Sequence, residues 1–125
     1  MAELDAALAS IGKAGLEGLV VFPDALTIGN RQRIADAALK ARMPAISGWG
    51  EFADAGFLMS YGPNLRVSYR RLATFVDKAL KGADPGSLPI ELPTVVEMVI
   101  NTRTAQALGR EMPRALVLRA DRVVG

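Results

Sequence analysis

The side chains of this sequence best suited to hold a small molecule are Asp24, Trp49, Glu51, Tyr61 and Asn64. A carboxylate such as Asp24 accepts a hydrogen bond from an amine or a hydroxyl. Trp49 stands between Gly48 and Gly50, so a planar ligand has room to stack on its indole. Each residue also has a purely structural reading. Asp24 reads equally as the cap of the following helix, with Thr27 as a competing cap, and Trp49 as a partly buried core residue. Tyr61 reads also as a packing ring, and Glu51 and Asn64 as helix-start residues.

Catalysis is harder to assemble. The sequence has no histidine and no cysteine. The commonest general base, the usual partner of a serine nucleophile and every thiolate ligand are therefore missing. Carboxylates alone can catalyse, but no convincing acidic pair is present. We therefore expect no catalytic residue, no metal site and no cofactor. A receiver-like signalling domain needs an acidic pair after an early strand and a lysine at a later strand end. Neither is found. Gly48-Trp49-Gly50 lacks the third glycine of a dinucleotide-binding turn.

The 125 residues fit one domain, taken here as 1–125, and half of them are hydrophobic, a globular composition. Fifteen basic residues against thirteen acidic ones leave a formal charge of +2. The basic residues are scattered, with Arg70-Arg71 the only adjacent pair, so no nucleic-acid partner is expected. Met1 leads into Ala2-Glu3-Leu4-Asp5 without the basic start and apolar run of a signal peptide. As written, the chain is expected to remain in the cytoplasm. Apolar runs such as Leu19-Val20-Val21-Phe22 are too short to span a bilayer.

The elements that position the candidate residues follow from spacing. Leu4, Ala7, Leu8 and Ile11 predict a helix over residues 3–14, stopped at Gly15. Gly18 to Phe22 reads as a buried strand, and a helix is predicted from Thr27 to Arg42. Pro44 to Ser47 forms a second strand, and Gly48 to Phe52 a loop entering a short helical turn. Gly56 to Tyr61 is a third strand, closed by Gly62-Pro63. Asn64 caps a long helix to Lys81, with Leu65, Tyr69, Leu72, Val76 and Leu80 on one side. Ala83 to Ser87 is a turn, Leu88 to Pro93 is extended, and Thr94 to Ile100 is another strand. Asn101 caps a short helix ending at Gly109, and a helical turn and extended tail finish the chain. Strands alternating with helices imply an α/β fold, a mostly parallel sheet with helices on both faces. Ligands of such sheets sit at the carboxyl ends of strands, which selects the loops carrying the candidate residues.

Those loops carry a family resemblance. Leu19-Val20-Val21-Phe22-Pro23-Asp24-Ala25-Leu26 resembles the "VV-PD-L" strand and loop of ABC-transporter substrate-binding proteins, some of which bind aromatic amino acids. Met43-Pro44-Ala45-Ile46 is similar to the family's "-PAI" strand. Glu51-Phe52 and Ala55 to Asn64 are similar to its "EF-AGGLMSYGPN" segment. The likeness runs on to Ala115–Val123 and covers nearly the whole chain. Family members are about twice as long, with a signal sequence and a complete N-terminal lobe. The resemblance implies one lobe of a type I periplasmic binding protein, whose two α/β lobes close on a ligand across a hinge. It makes this chain the C-terminal lobe, binding a small organic molecule, with an ABC permease as partner of the full-length periplasmic protein. Tyr61-Gly62-Pro63 and Glu91-Leu92-Pro93 would be hinge crossings, and the 64–82 helix would pack on the absent lobe. With that lobe absent, the apolar face of residues 64–81 predicts a homodimer. The alternative is a truncated or excised fragment that self-associates without binding ligand.

Overall fold

The computed structural model describes residues 2–13 and 15–125. Met1, and Ala14 at the end of the first predicted helix, lie outside the described residues. Among the described residues five strands form one sheet in the order β1-β2-β3-β4-β5: β1 Leu19–Val21, β2 Ala45–Ser47, β3 Met59–Pro63, β4 Val96–Asn101 and β5 Arg122–Val124. The pairs β1–β2, β2–β3 and β4–β5 are parallel, as expected of a mostly parallel sheet. The β3–β4 pair is antiparallel, with Tyr61 opposite Met98 and Pro63 opposite Val96. β4 therefore runs back from the end of the sheet that β3 has just reached.

Among the described residues seven helices accompany the sheet: α1 Ala2–Ile11, α2 Ala25–Gly29, α3 Arg31–Lys40, α4 Gly50–Asp54, α5 Leu65–Leu80, α6 Thr102–Ala107 and α7 Arg114–Arg119. The single helix expected from Thr27 to Arg42 is instead two, α2 and α3, broken at Asn30. There φ is −113°, outside the helical range, and the Asn30 amide side chain donates to the Leu26 carbonyl at 2.9 Å.

The main core cluster lies on one face of the sheet, and Ile100 is fully buried on the other. Ile34, Ala35 and Ala38 from α3 and Phe52 from α4 pack with Ala45 and Phe57, and Leu8, Leu19 and Val21 border them. Leu19, Val21, Ala45 and Ser47 share that face because strand side chains alternate. Phe52 and Phe57 are fully buried and meet edge to face, with centroids 5.1 Å apart. The opposite face is barer at the β1 edge, where Val20 is exposed, and Phe22 just beyond it is 82% exposed.

Between β3 and β4 the chain leaves the sheet and makes an arm. α5 runs outward, a short 3-10 turn at Pro85–Ser87 reverses the direction, and residues 88–95 return along α5. Arg71 joins the two halves through two hydrogen bonds to Glu91, both 2.6 Å. No residue of α5 is buried, and Tyr69, Leu72, Val76 and Leu80 are all more than half exposed.

Candidate ligand-binding site

The candidate residues sit on the loops after β1 and β2, at the start of α4 and at the end of β3. Ser47 donates its hydroxyl hydrogen to the Val21 carbonyl at 2.7 Å, drawing the ends of β1 and β2 together. A side chain added at Gly48 would lie 3.2 Å from the Pro23 ring, and one added at Gly62 would lie 2.1 Å from the Gly48 carbonyl oxygen. The loops after β1 and β2 and the end of β3 thus form one surface at the carboxyl ends of three parallel strands.

Asp24 is the cap of α2. Its carboxylate accepts from the Thr27 backbone N–H at 2.6 Å, and the Thr27 hydroxyl accepts from the Asp24 backbone N–H at 2.8 Å. The two capping candidates therefore act as a pair. The Thr27 N–H, with the Thr27 hydroxyl second, holds the Asp24 carboxyl below its ordinary value. Asp24 is exposed, and its carboxylate faces solvent beside the cap.

Trp49 starts α4 and is half-buried, leaning on the core at 6.5 Å from the Phe52 ring. One side of the indole is fixed and part of it remains accessible. Tyr61 is 59% exposed. Its neighbour Ser60 is buried on the core face, so alternation places Tyr61 on the opposite face of the sheet.

Glu51 and Asn64 share a recess of about 320 Å³ with Asp54, Arg66, Glu97 and Arg122. Asn64 is fully engaged there. Its carbonyl oxygen accepts from the Val67 N–H at 3.0 Å and caps α5, while its amide donates to Glu97 at 2.8 Å. Arg122 donates to both Asp54 carboxylate oxygens, at 2.5 and 3.1 Å, and these bonds hold its guanidinium above its ordinary value. The five predicted residues therefore divide between Asp24, Trp49 and Tyr61 on the loop surface and Glu51 and Asn64 in the polar recess.

Sequence reasoning missed Asp54, Arg66, Glu97 and Arg122. Glu97 had left a signal, being the one charge in the run Val95-Val96-Glu97-Met98-Val99-Ile100. Among the described residues, no group of three or more Asp or Glu is placed to hold a metal ion. No helix among them is long and apolar enough to cross a membrane.

The family model described as ABC transporter substrate binding protein matches residues 1–124. The chain belongs to this family. Solved structures agree in fold. A conserved domain protein from Vibrio cholerae superposes with a TM-score of 0.89 at 24% identity. The ABC domain in complex with L-Trp from Streptococcus pneumoniae gives 0.89 at 19% identity. A substrate binding protein with adhesive properties from Clostridium difficile, in its ligand-free, open structure, gives 0.65 at 20% identity. Each match covers 98% of this chain and 41% of the other, so the chain spans about two fifths of the length of these structures. No curated protein matches the sequence.

Proposed function

We propose that the chain is the C-terminal lobe of the solute-binding component of an ABC-type importer. Its ligand is a small organic molecule with a planar or apolar part, an amino acid or an aromatic compound. Asp24 is the polar anchor and Trp49 the stacking surface, with Tyr61, Glu51 and Asn64 at the margin. The observation that carries this reading is the continuous surface formed where Pro23, Gly48 and Gly62 meet, which has the exposed Asp24 carboxylate and the accessible part of Trp49 at the carboxyl ends of the strands. The L-Trp bound by the Streptococcus pneumoniae relative supports an aromatic amino acid as the first ligand to try. The reaction is binding and release, with no bond made or broken. In the full-length protein the lobe works in the periplasm, and an ABC permease is the partner.

Small-molecule sites bury about 70–90% of a ligand's surface, so a second lobe is needed to complete this one. The exposed face of α5 is where we place it. Calorimetric titration with L-tryptophan tests the reading. Heat of binding that disappears in Asp24→Asn supports it, and no heat with L-tryptophan, L-tyrosine or L-phenylalanine at millimolar concentration opposes it.

A second reading rests on the same arm. In the chain as it stands, Tyr69, Leu72, Val76 and Leu80 face solvent. Burying each contributes about 1.5–3 kcal/mol, which favours a homodimer in which α5 packs on a second copy about a two-fold axis. A fragment that only self-associates is the outcome if no ligand binds.

A further inference from the structure

We propose that Glu97 is a positioning residue of the candidate site, a wedge that keeps the Trp49–Gly50 turn and the Asn64 end of the arm in fixed relation. The proposal rests on the ligand-binding reading of Trp49. The two oxygens of Glu97 have different duties. Oε2 accepts from the Asn64 amide at 2.8 Å. Oε1 stands against the Gly50 backbone, 2.6 Å from the point a Cβ there would occupy. Arg122 Nη2 lies 3.2 Å from that same point, and its guanidinium is tied to Asp54 of α4.

One carboxylate therefore meets the start of α4 and the Asn64 turn that follows β3 from its own place at the start of β4. Asn64 extends the chain of contacts, because its other amide atom caps α5 through Val67. The first turn of α5 is linked through Asn64 and Glu97 to Gly50, and Gly50 is joined by a peptide bond to Trp49. The sheet itself does not need this wedge. β3 and β4 pair along five residues, and Asp121 fixes β5 to β4 by accepting from the Met98 N–H at 2.7 Å. Removing Glu97 should leave the sheet paired and release the turn and the arm.

Trp49 is the only tryptophan, so its fluorescence reads the turn without any ligand. Glu97→Ala is expected to shift the Trp49 emission to longer wavelength and increase its quenching by acrylamide, with far-ultraviolet circular dichroism unchanged. Glu97→Gln keeps the length and the acceptor for Asn64, and should stay nearer the parent chain in both readings. A folded Glu97→Ala protein whose emission and quenching match the parent chain would overturn the proposal.

If Glu97→Ala does not fold, Asn64→Asp decides. Aspartate caps α5 as well as asparagine does, but it turns a second carboxylate toward Glu97. Trp49 quenching should then exceed that of the parent chain at neutral pH and return toward it as the pair is protonated. Glu51, Asp54, Arg66 and Arg122 face the same recess in both proteins, so the parent chain titrated in parallel removes their contribution. Quenching equal to that of the parent chain at every pH would overturn the proposal. Since no ligand is added, these outcomes are independent of the L-tryptophan titration, where failure of the ligand-binding reading shows by itself.

Discussion

The Gly48 carbonyl oxygen lies so close to Gly62 that a Cβ at position 62 would stand 2.1 Å from it. This contact joins the loop that carries Trp49 to the strand that carries Tyr61, and only a residue without a side chain permits it. The backbone at Gly62 is not in the left-handed region, so the requirement is one of space alone.

Gly62→Ala should therefore destabilise the chain by about 1–3 kcal/mol, since the clash is with backbone that cannot turn aside. Gly29→Ala is the control. No atom lies within 4 Å of an added Cβ there and its φ is not positive, so the change should be neutral or stabilise by about 0.4–1 kcal/mol. Urea denaturation at neutral pH measures both. Equal stability of the two variants would remove the loop contact from the account.

Asp24 carries two duties that one substitution separates. Asparagine caps a helix as well as aspartate, so Asp24→Asn should leave the melting temperature nearly unchanged. It removes the negative charge, and with it the anchor for a ligand amine. Thermal melting and ligand titration on the same sample check this. Full retention of affinity would assign Asp24 to the cap alone.

Acid should weaken the fold through two exposed carboxylates. The Thr27 N–H lowers Asp24 from its ordinary value of 3.8, and the Arg71 hydrogen bonds lower Glu91 from 4.5. A lowered carboxyl contributes stability above its unfolded value. Below that value the unfolded chain binds more protons than the folded one, and the contribution is lost as pH falls through the folded value. Melting temperature should decline as pH drops below about 4.5, and the Asp24→Asn, Glu91→Gln double variant should decline less. Identical pH profiles would show that neither group contributes.

Self-association should depend on the outer face of α5. Leu72 and Val76 lie four residues apart on that face, both more than half exposed. Sedimentation of the parent chain is expected to show a dimer at micromolar concentration, and Leu72→Glu with Val76→Glu is expected to show a monomer. A parent chain that sediments as a monomer would refute the dimer.

Local signals in the sequence were read well where one element carried the whole signal. Asn64 caps α5, Lys81 follows its last residue, and Gly82 with φ of 95° stops it, all from an apolar period near 3.6. Asp24 and Thr27 were read as competing caps because sequence alone does not show that each can satisfy the other. Gly62 and Pro63 were read as ending β3, yet they pair with Glu97 and Val96. That pairing is fixed by β4 returning antiparallel after the arm, a relation between distant segments. The recess was missed for the same reason. Its members come from α4, α5, β4, β5 and the turn at Asn64, and only the folded sheet brings them together.

The most direct test of the central claim is a residue-resolved nuclear magnetic resonance titration of the ¹⁵N-labelled chain with L-tryptophan. The account predicts amide shifts concentrated at Asp24, Gly48 to Glu51 and Tyr61, together with the Trp49 indole N–H. α3 and the outer half of α5 should stay unperturbed. Shifts that are absent at millimolar ligand, or that gather instead along residues 88–95 of the arm, would contradict it.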